Sequence, residues 1–328
     1  MKLKLFFIIY LIFFHLIQCN QKQIKEPIEK TYSCSDSTDL PNYPENFIKR
    51  EETKDYLEHY LLKDKFSRKS LNIANAYGMI PFLKKLMILK NSHGKKSNNH
   101  EVIVELNRIK LRLNAAIKFA TIDITGSASE MHCHAERMND FIRVLQNRER
   151  EAIKNYTILS ILVTAGFTVL SGAVQWESDS IQSMVNLLGG SFAGYLGYKA
   201  TTYAFEIEFI PEKKILAEFW NPPRQSSIYS EPLWYLINLP PDFENKENSL
   251  RKELISHWVQ NYYLELDDIE EREVAISLFF DPDKKHNIDD LISIREMNRQ
   301  IGIAIQLTLQ DIKLLDREID INSENQVD

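Results

Sequence analysis

Cysteine, glycine and proline are all scarce in this chain of 328 residues, and each shortage excludes something. Three Cys cannot build a disulfide scaffold or a zinc cage of four thiolates. Ten Gly and eleven Pro exclude collagen-like and other fibrous classes. A basic surplus is missing as well. Lys and Arg number 40 against 46 Asp and Glu, a formal net charge of −6, so no nucleic-acid partner is expected. There is no P-loop, no dinucleotide fingerprint and no HExxH. What is present is an apolar share of 44%, enough for a folded chain of one large domain or two small ones.

The first residues read as an export address. Lys2 and Lys4 precede an apolar run from Leu5 to Ile17, broken only by His15. That is signal-peptide length, too short for an ordinary spanning helix. The run ends Leu16-Ile17-Gln18-Cys19, and a Cys at that point resembles the bacterial lipoprotein signal, which implies a lipid on the Cys19 sulfur. Gln18 departs from that pattern, where Gly, Ala or Ser is usual. A plain cleaved signal or an uncleaved anchor are the alternatives. Residues 20–50, with Pro27, Pro41, Pro44 and a Ser/Asp/Thr cluster, read as a linker. Cys34 in that linker is either a free thiol or the partner of Cys133.

No proline occurs between residues 82 and 210, which predicts long helices. Val102, Leu106, Ile109, Leu113, Ala116 and Ala120 step by 4 and 3, and Met131, Ala135, Met138, Ile142 and Leu145 repeat the pattern. Such stripes place apolar groups on one helix face, with Glu105, Arg108, Glu136 and Arg143 on the other. A helix packed on its own neighbours is the preferred reading, ahead of a coiled-coil partner surface.

Residues 155–176 carry no charge, about 33 Å of helix, long enough to cross a bilayer core. Tyr156 and Trp176 lie at its ends, where interfacial aromatics are expected. A second uncharged run, 180–198, is weaker because Gln182, Ser183 and Asn186 fall in its first half. Six of the ten glycines lie between Gly166 and Gly197, and Gly190 with Gly194 forms a GxxxG. Mid-helix glycine costs about 0.5–1 kcal/mol in water, whereas in lipid small residues let helices approach closely. A membrane hairpin is therefore expected over 155–204, with Gly190 and Gly194 as helix-packing residues. A soluble, wholly buried hairpin is the plain alternative. Arg148, Arg150, Lys154 and Lys199 flank it, which by the positive-inside rule puts both flanks in the cytoplasm. An exported amino terminus puts them outside. The rule weakens beside long domains, so the signal takes precedence.

From Pro211 on come seven of the eleven prolines and an aromatic-rich stretch with Trp220, Tyr229, Trp234 and Tyr235, read as irregular chain packed on a core ahead of a binding groove. A helix is expected over Glu247–Leu266, which includes Leu250, Leu254, His257, Trp258 and Tyr262. A longer one carries Ile294, Asn298, Ile301, Ile305, Thr308, Ile312, Leu315 and Ile319, capped by Asn287 and Asp290.

Tests for chemistry leave little. His132 and Glu136 share a helix face beside Cys133 and His134, but a zinc site needs a third ligand, and nothing in the spacing selects His257, His59 or Cys34. Asp281-Pro282-Asp283 opens like a calcium loop, yet His286 stands where Gly is needed and Ile292 where Glu is needed. Gly189-Gly190-Ser191-Phe192-Ala193 lacks the last Gly of a nucleophile elbow. No catalytic, cofactor or metal residue is assigned, and no cofactor is expected.

Two stretches together, Asn72–Pro81 and Ala128–Arg137, followed by Arg148-Glu149-Arg150 and the apolar hairpin, resemble a group of bacterial envelope proteins. These have a signal sequence, an acidic Cys-containing helix and a Gly-rich hairpin. The resemblance covers roughly residues 70–200. It implies membership of the envelope and no particular activity. His132 and His134 stand where that helix is acidic.

The expectation is an all-α protein with long amphipathic helices around a hydrophobic hairpin. Its regions are 1–19 signal, 20–50 linker, 51–154 helical, 155–204 hairpin and 205–328 mainly helical. The expected setting is the cell envelope, with the membrane and a protein partner or second copies of the chain as contacts. A structural or interaction role leads, ahead of a pore built from hairpins, and then an enzyme with an unrecognised site.

Overall fold

In the computed structural model, the described residues are 34, 50–93, 100–174, 179–203, 207–208, 214–240, 248–261, 269–280 and 285–323. All belong to one unit, Cys34–Asp328. The fold is all-α. In chain order the described elements are α1 (Thr53–Leu57), α2 (Arg68–Ala76), α3 (Ile80–His93), α4 (His100–Val174), α5 (Asp179–Thr202), β1 (Ile207–Glu208), α6 (Ile215–Trp220), α7 (Glu231–Asn238), α8 (Leu250–Asn261), α9 (Ile269–Phe280), β2 (Lys285–His286) and α10 (Ile288–Ser323). The two strands form one short antiparallel pair, Ile207 opposite His286.

The axis of the fold is α4, 75 residues without a break. It crosses the boundary drawn at residue 154, so the helical region and the hairpin share one helix. With no proline inside it, nothing removes a backbone donor or forces a kink. Both predicted stripes are on its packed face: Ile109, Leu113, Ala120, Met131, Ala135, Met138, Ile142 and Leu145 are all buried. The cover is α10, whose own stripe from Ile294 to Ile319 is buried as expected, apart from a half-exposed Thr308. Burying each Leu or Ile contributes about 1.5–3 kcal/mol.

The two helices run antiparallel. Arg295 Nη1 donates to Asn139 Oδ1 at 2.8 Å, while Gly302 lies over Ala128 and Met131. A Cβ at position 302 would come within 3.1 Å of Met131 Cβ, so glycine sets the closeness of this crossing. The predicted cap of α10 is reciprocal: Asn287 N donates to Asp290 Oδ2 and Asp290 N to Asn287 Oδ1, both at 2.9 Å.

Smaller helices close the far end. The Asn72–Pro81 segment is the second half of α2, a turn, and the start of α3. Gly78 makes the turn with φ 68°, a left-handed conformation that costs glycine no Cβ clash. Glu318 near the end of α10 accepts from the Ser67 backbone N at 3.1 Å, tying the start of α2 to that helix. Aromatic residues form the core beneath α6, α7 and α8. Phe219 meets the rings of Tyr229, Trp234 and Trp258 at centroid distances of 5.9, 6.0 and 6.0 Å. His257 is exposed, while Trp258 beside it is buried. Cys34 is bonded to Cys133 of α4, with Cα atoms 5.9 Å apart and a sequence separation of 99.

Candidate functional site, an exposed apolar hairpin

Beyond residue 150, α4 leaves the cover of α10 and packs instead against α5, which runs back along it. One seam joins the pair. Ser160 Oγ donates to the carbonyl of Ala193 at 3.0 Å, and the rings of Tyr156 and Tyr203 lie 5.7 Å apart. Val163, Leu196 and Ala200 are buried between the helices. The closest approach is at Gly189, where a Cβ would sit 2.5 Å from Phe167 Cβ. Any side chain there would push the helices apart.

The rest of the hairpin surface is uncovered and apolar. Val169 is 73% exposed, Leu187 70%, Ile161 and Leu162 each 62%. Only 6% of the apolar window is buried, so this is not the wholly buried core hairpin of the plain alternative. Among the described residues, α4 alone is long and apolar enough to cross a membrane. The hydroxyls on this stretch do not add polarity to its surface. Thr157, Thr164 and Thr168 each donate to the carbonyl four residues back on the same helix, at 2.8–2.9 Å. That is how polar side chains are tolerated where no water can pair with them.

Gly190 and Gly194 are on the outward face, and a Cβ at either would meet nothing within 4 Å. They do not hold this hairpin together; Gly189 does. Asn186 and Ser191 also face outward, and Gln182 is half-buried. Cys19 and Trp176 lie outside the described residues.

The His/Cys/Glu cluster disperses. Cys133 is consumed by the disulfide with Cys34. His134 Nε2 lies 3.6 Å from Glu130 Oε1, and His132 packs near Gly302. Glu136 and His257 are exposed, and His59 stacks on Tyr60. Among the described residues, no three His, Cys, Asp or Glu side chains converge to hold an ion.

Two features were not foreseen. Asp123 of α4 is fully buried. Its Oδ2 accepts from the Tyr77 hydroxyl at 2.9 Å and from Ser230, while Oδ1 has no partner among the described residues. Burial pushes this carboxyl above the usual carboxylate range, against the lowering effect of its two hydrogen bonds. Nearby, a pocket of about 850 Å³ opens between the Pro222–Ser226 segment, α7 and Arg50. No spacing rule joins residues 50 and 224; the sequence offered only a binding groove as the second reading of the aromatic stretch that forms one side of it. No family model, curated protein or solved structure matches the chain.

Proposed function

We propose that this chain is an exported protein of the cell envelope, held at a membrane by the α4/α5 hairpin and by lipid on Cys19, with a structural or protein-interaction role for its folded body. The observation that carries the reading is the uncovered apolar surface of the hairpin. A contiguous apolar face of this kind is unfavourable in water and favourable in hydrocarbon. The Cys34–Cys133 bond supports export, because such bonds persist in oxidising compartments. It also favours the signal over the positive-inside rule for the side on which the body lies. Arg150, Lys154 and Lys199 are exposed around the hairpin base, where they suit anionic headgroups.

The experiment is membrane retention of the full chain through an alkaline carbonate wash, with Val169→Arg as its partner. Val169 points away from the seam, so the substitution leaves the hairpin's own packing intact. Retention of the wild type and release of Val169→Arg support anchoring by the hairpin. Equal release of both removes it. Fatty-acid labelling lost in Cys19→Ser tests the lipid separately, and an unlabelled wild type removes that part.

Association between copies is favoured by the open space over Gly190 and Gly194. Close contact of two such faces supplies the dispersion that holds helices together in lipid. A pore built this way has little to line it. Its polar outward groups are Ser183, Asn186 and Ser191, and the threonines of α4 are satisfied on their own helix. Dye leak from vesicles that vanishes in Gly190→Leu/Gly194→Leu would replace the scaffold reading with the pore.

A further inference from the structure

We propose that the pocket between Arg50 and α7 binds a small soluble molecule carrying a carboxylate or phosphate on an apolar, ring-sized body. The pocket measures about 850 Å³, within the range of sites for small ligands. One wall is apolar, from Pro222, Pro223, Trp234 and Leu239. Trp234, Asn238 and Ser226, three neutral polar residues of the lining, are already hydrogen-bonded. Trp234 Nε1 donates to the Pro223 carbonyl at 3.1 Å, and Asn238 Nδ2 to the Trp234 carbonyl at 2.9 Å. Asn238 Oδ1 accepts from Arg251 Nε at 2.8 Å, and Ser226 Oγ donates to Glu218.

The cationic groups are not used up. Arg224 is exposed on the rim and makes no ion pair among the described residues. Arg50 lies with its guanidinium carbon 4.6 Å from the Tyr235 ring centre, which fixes the plane of the fork. Its Nη1 meets Glu231 Oε1 at 3.1 Å, while Nε and Nη2 are buried with no acceptor among the described residues. A guanidinium has five N–H donors in a fork that matches carboxylate and phosphate oxygens. Leaving two of its nitrogens buried and unpaired is costly. Glu231 gives little in return. Its side chain is 63% exposed against 21% for Arg50, so it is a solvated carboxylate holding one edge of a buried cation. Glu231 therefore stands where a ligand anion would, and an incoming anion displaces it towards water as Arg50 turns to meet the ligand.

A headgroup of the membrane entered by the hairpin is out of reach. The helix α7 that carries Glu231 begins at Ser230, which bonds Asp123, and Asp123 lies 32 residues before Asn155 on α4. That is about 48 Å of helix. The ligand comes from solution.

The test uses the full chain with its disulfide intact, in a phosphate-free nonionic detergent, titrated calorimetrically with phenyl phosphate and with benzoate. Saturable binding of at least one is expected, and which one binds tells phosphate from carboxylate. Arg224→Gln should weaken it by about tenfold or more, because one of two charge-assisted contacts is lost. Glu231→Gln should tighten it, because the competing carboxylate is gone. Arg50→Gln should abolish it, with far-ultraviolet circular dichroism showing that the variant folds. Should Arg50→Gln fail to fold, the other two variants, both at exposed positions, decide alone. No heat from either probe, or binding unchanged in both Arg224→Gln and Glu231→Gln, overturns the proposal.

Discussion

Residues 100–146 and 155–172 belong to one helix, yet they are solvated in opposite ways. In the first stretch the apolar stripe faces inward onto α10, Leu111 and Ile122 lie outside it, and Arg108 and Arg143 face water. In the second the apolar residues cover most of the circumference, and only a narrow seam meets α5. Backbone geometry does not change between them; the surroundings each stretch requires do. Stability of the first stretch comes from burial against its own chain. That of the second, in water, would rest on the seam alone, and the outward Leu162 and Val169 would be a standing cost.

This contrast predicts that changes in one stretch should leave the other unmoved. The largest effect is expected from the disulfide. Cys133→Ser removes a bond closing a loop of 99 residues of separation, and the body should lose about 4–5 kcal/mol. The melting temperature in detergent should fall, with membrane retention unchanged; loss of retention would show that the body and hairpin depend on each other. Next comes a mirrored pair. Leu113→Ala should cost the body about 2–5 kcal/mol and leave retention intact. Val169→Arg should cost insertion about 2.5–3.5 kcal/mol and leave the melt of the body intact. A melt that drops equally in both would erase the distinction.

Asp123 gives a smaller and pH-dependent effect. Its folded value is raised by burial, so the folded state holds the proton more tightly than the unfolded state. The stabilisation is complete below the unfolded carboxylate value and is lost as pH rises through the raised folded value. Asp123→Asn should therefore raise stability near neutral pH by about 1 kcal/mol and steepen the acid limb of the stability curve, because the loss with rising pH that Asp123 contributes is gone. The smallest expected change is Asn287→Ala. Removing one half of the reciprocal cap of α10 should cost about 1 kcal/mol or less, read as a modest drop in melting temperature with retention unmoved.

Much of this was legible from spacing. The stripes of α4 and α10 and the Asn287/Asp290 cap depend on residues within one helix, and a period of 3.6 exposes them. Long-range choices are another matter. The seam of the hairpin passes through Gly189 rather than Gly190 and Gly194, because the azimuth of contact depends on how α5 meets Phe167 and not on any motif within α5. The pairing of Cys34 with Cys133 and the meeting of Arg50 with Arg224 are set by tertiary packing across many elements. Asp123 looked like one more polar residue on a helix until Tyr77 and Ser230 closed over it.

An unbroken α4 also fixes a rotational phase. Each residue turns the helix by about 100° and advances it by about 1.5 Å. The bearing of the hairpin's open glycine face is thus indexed to the bearing of the pocket, like two keyways cut in one shaft. A single residue inserted between Gln146 and Asn155 would swing one against the other by more than a quarter turn. Seven inserted residues, close to two full turns, would lengthen the shaft by about 10 Å and leave the keyways nearly aligned.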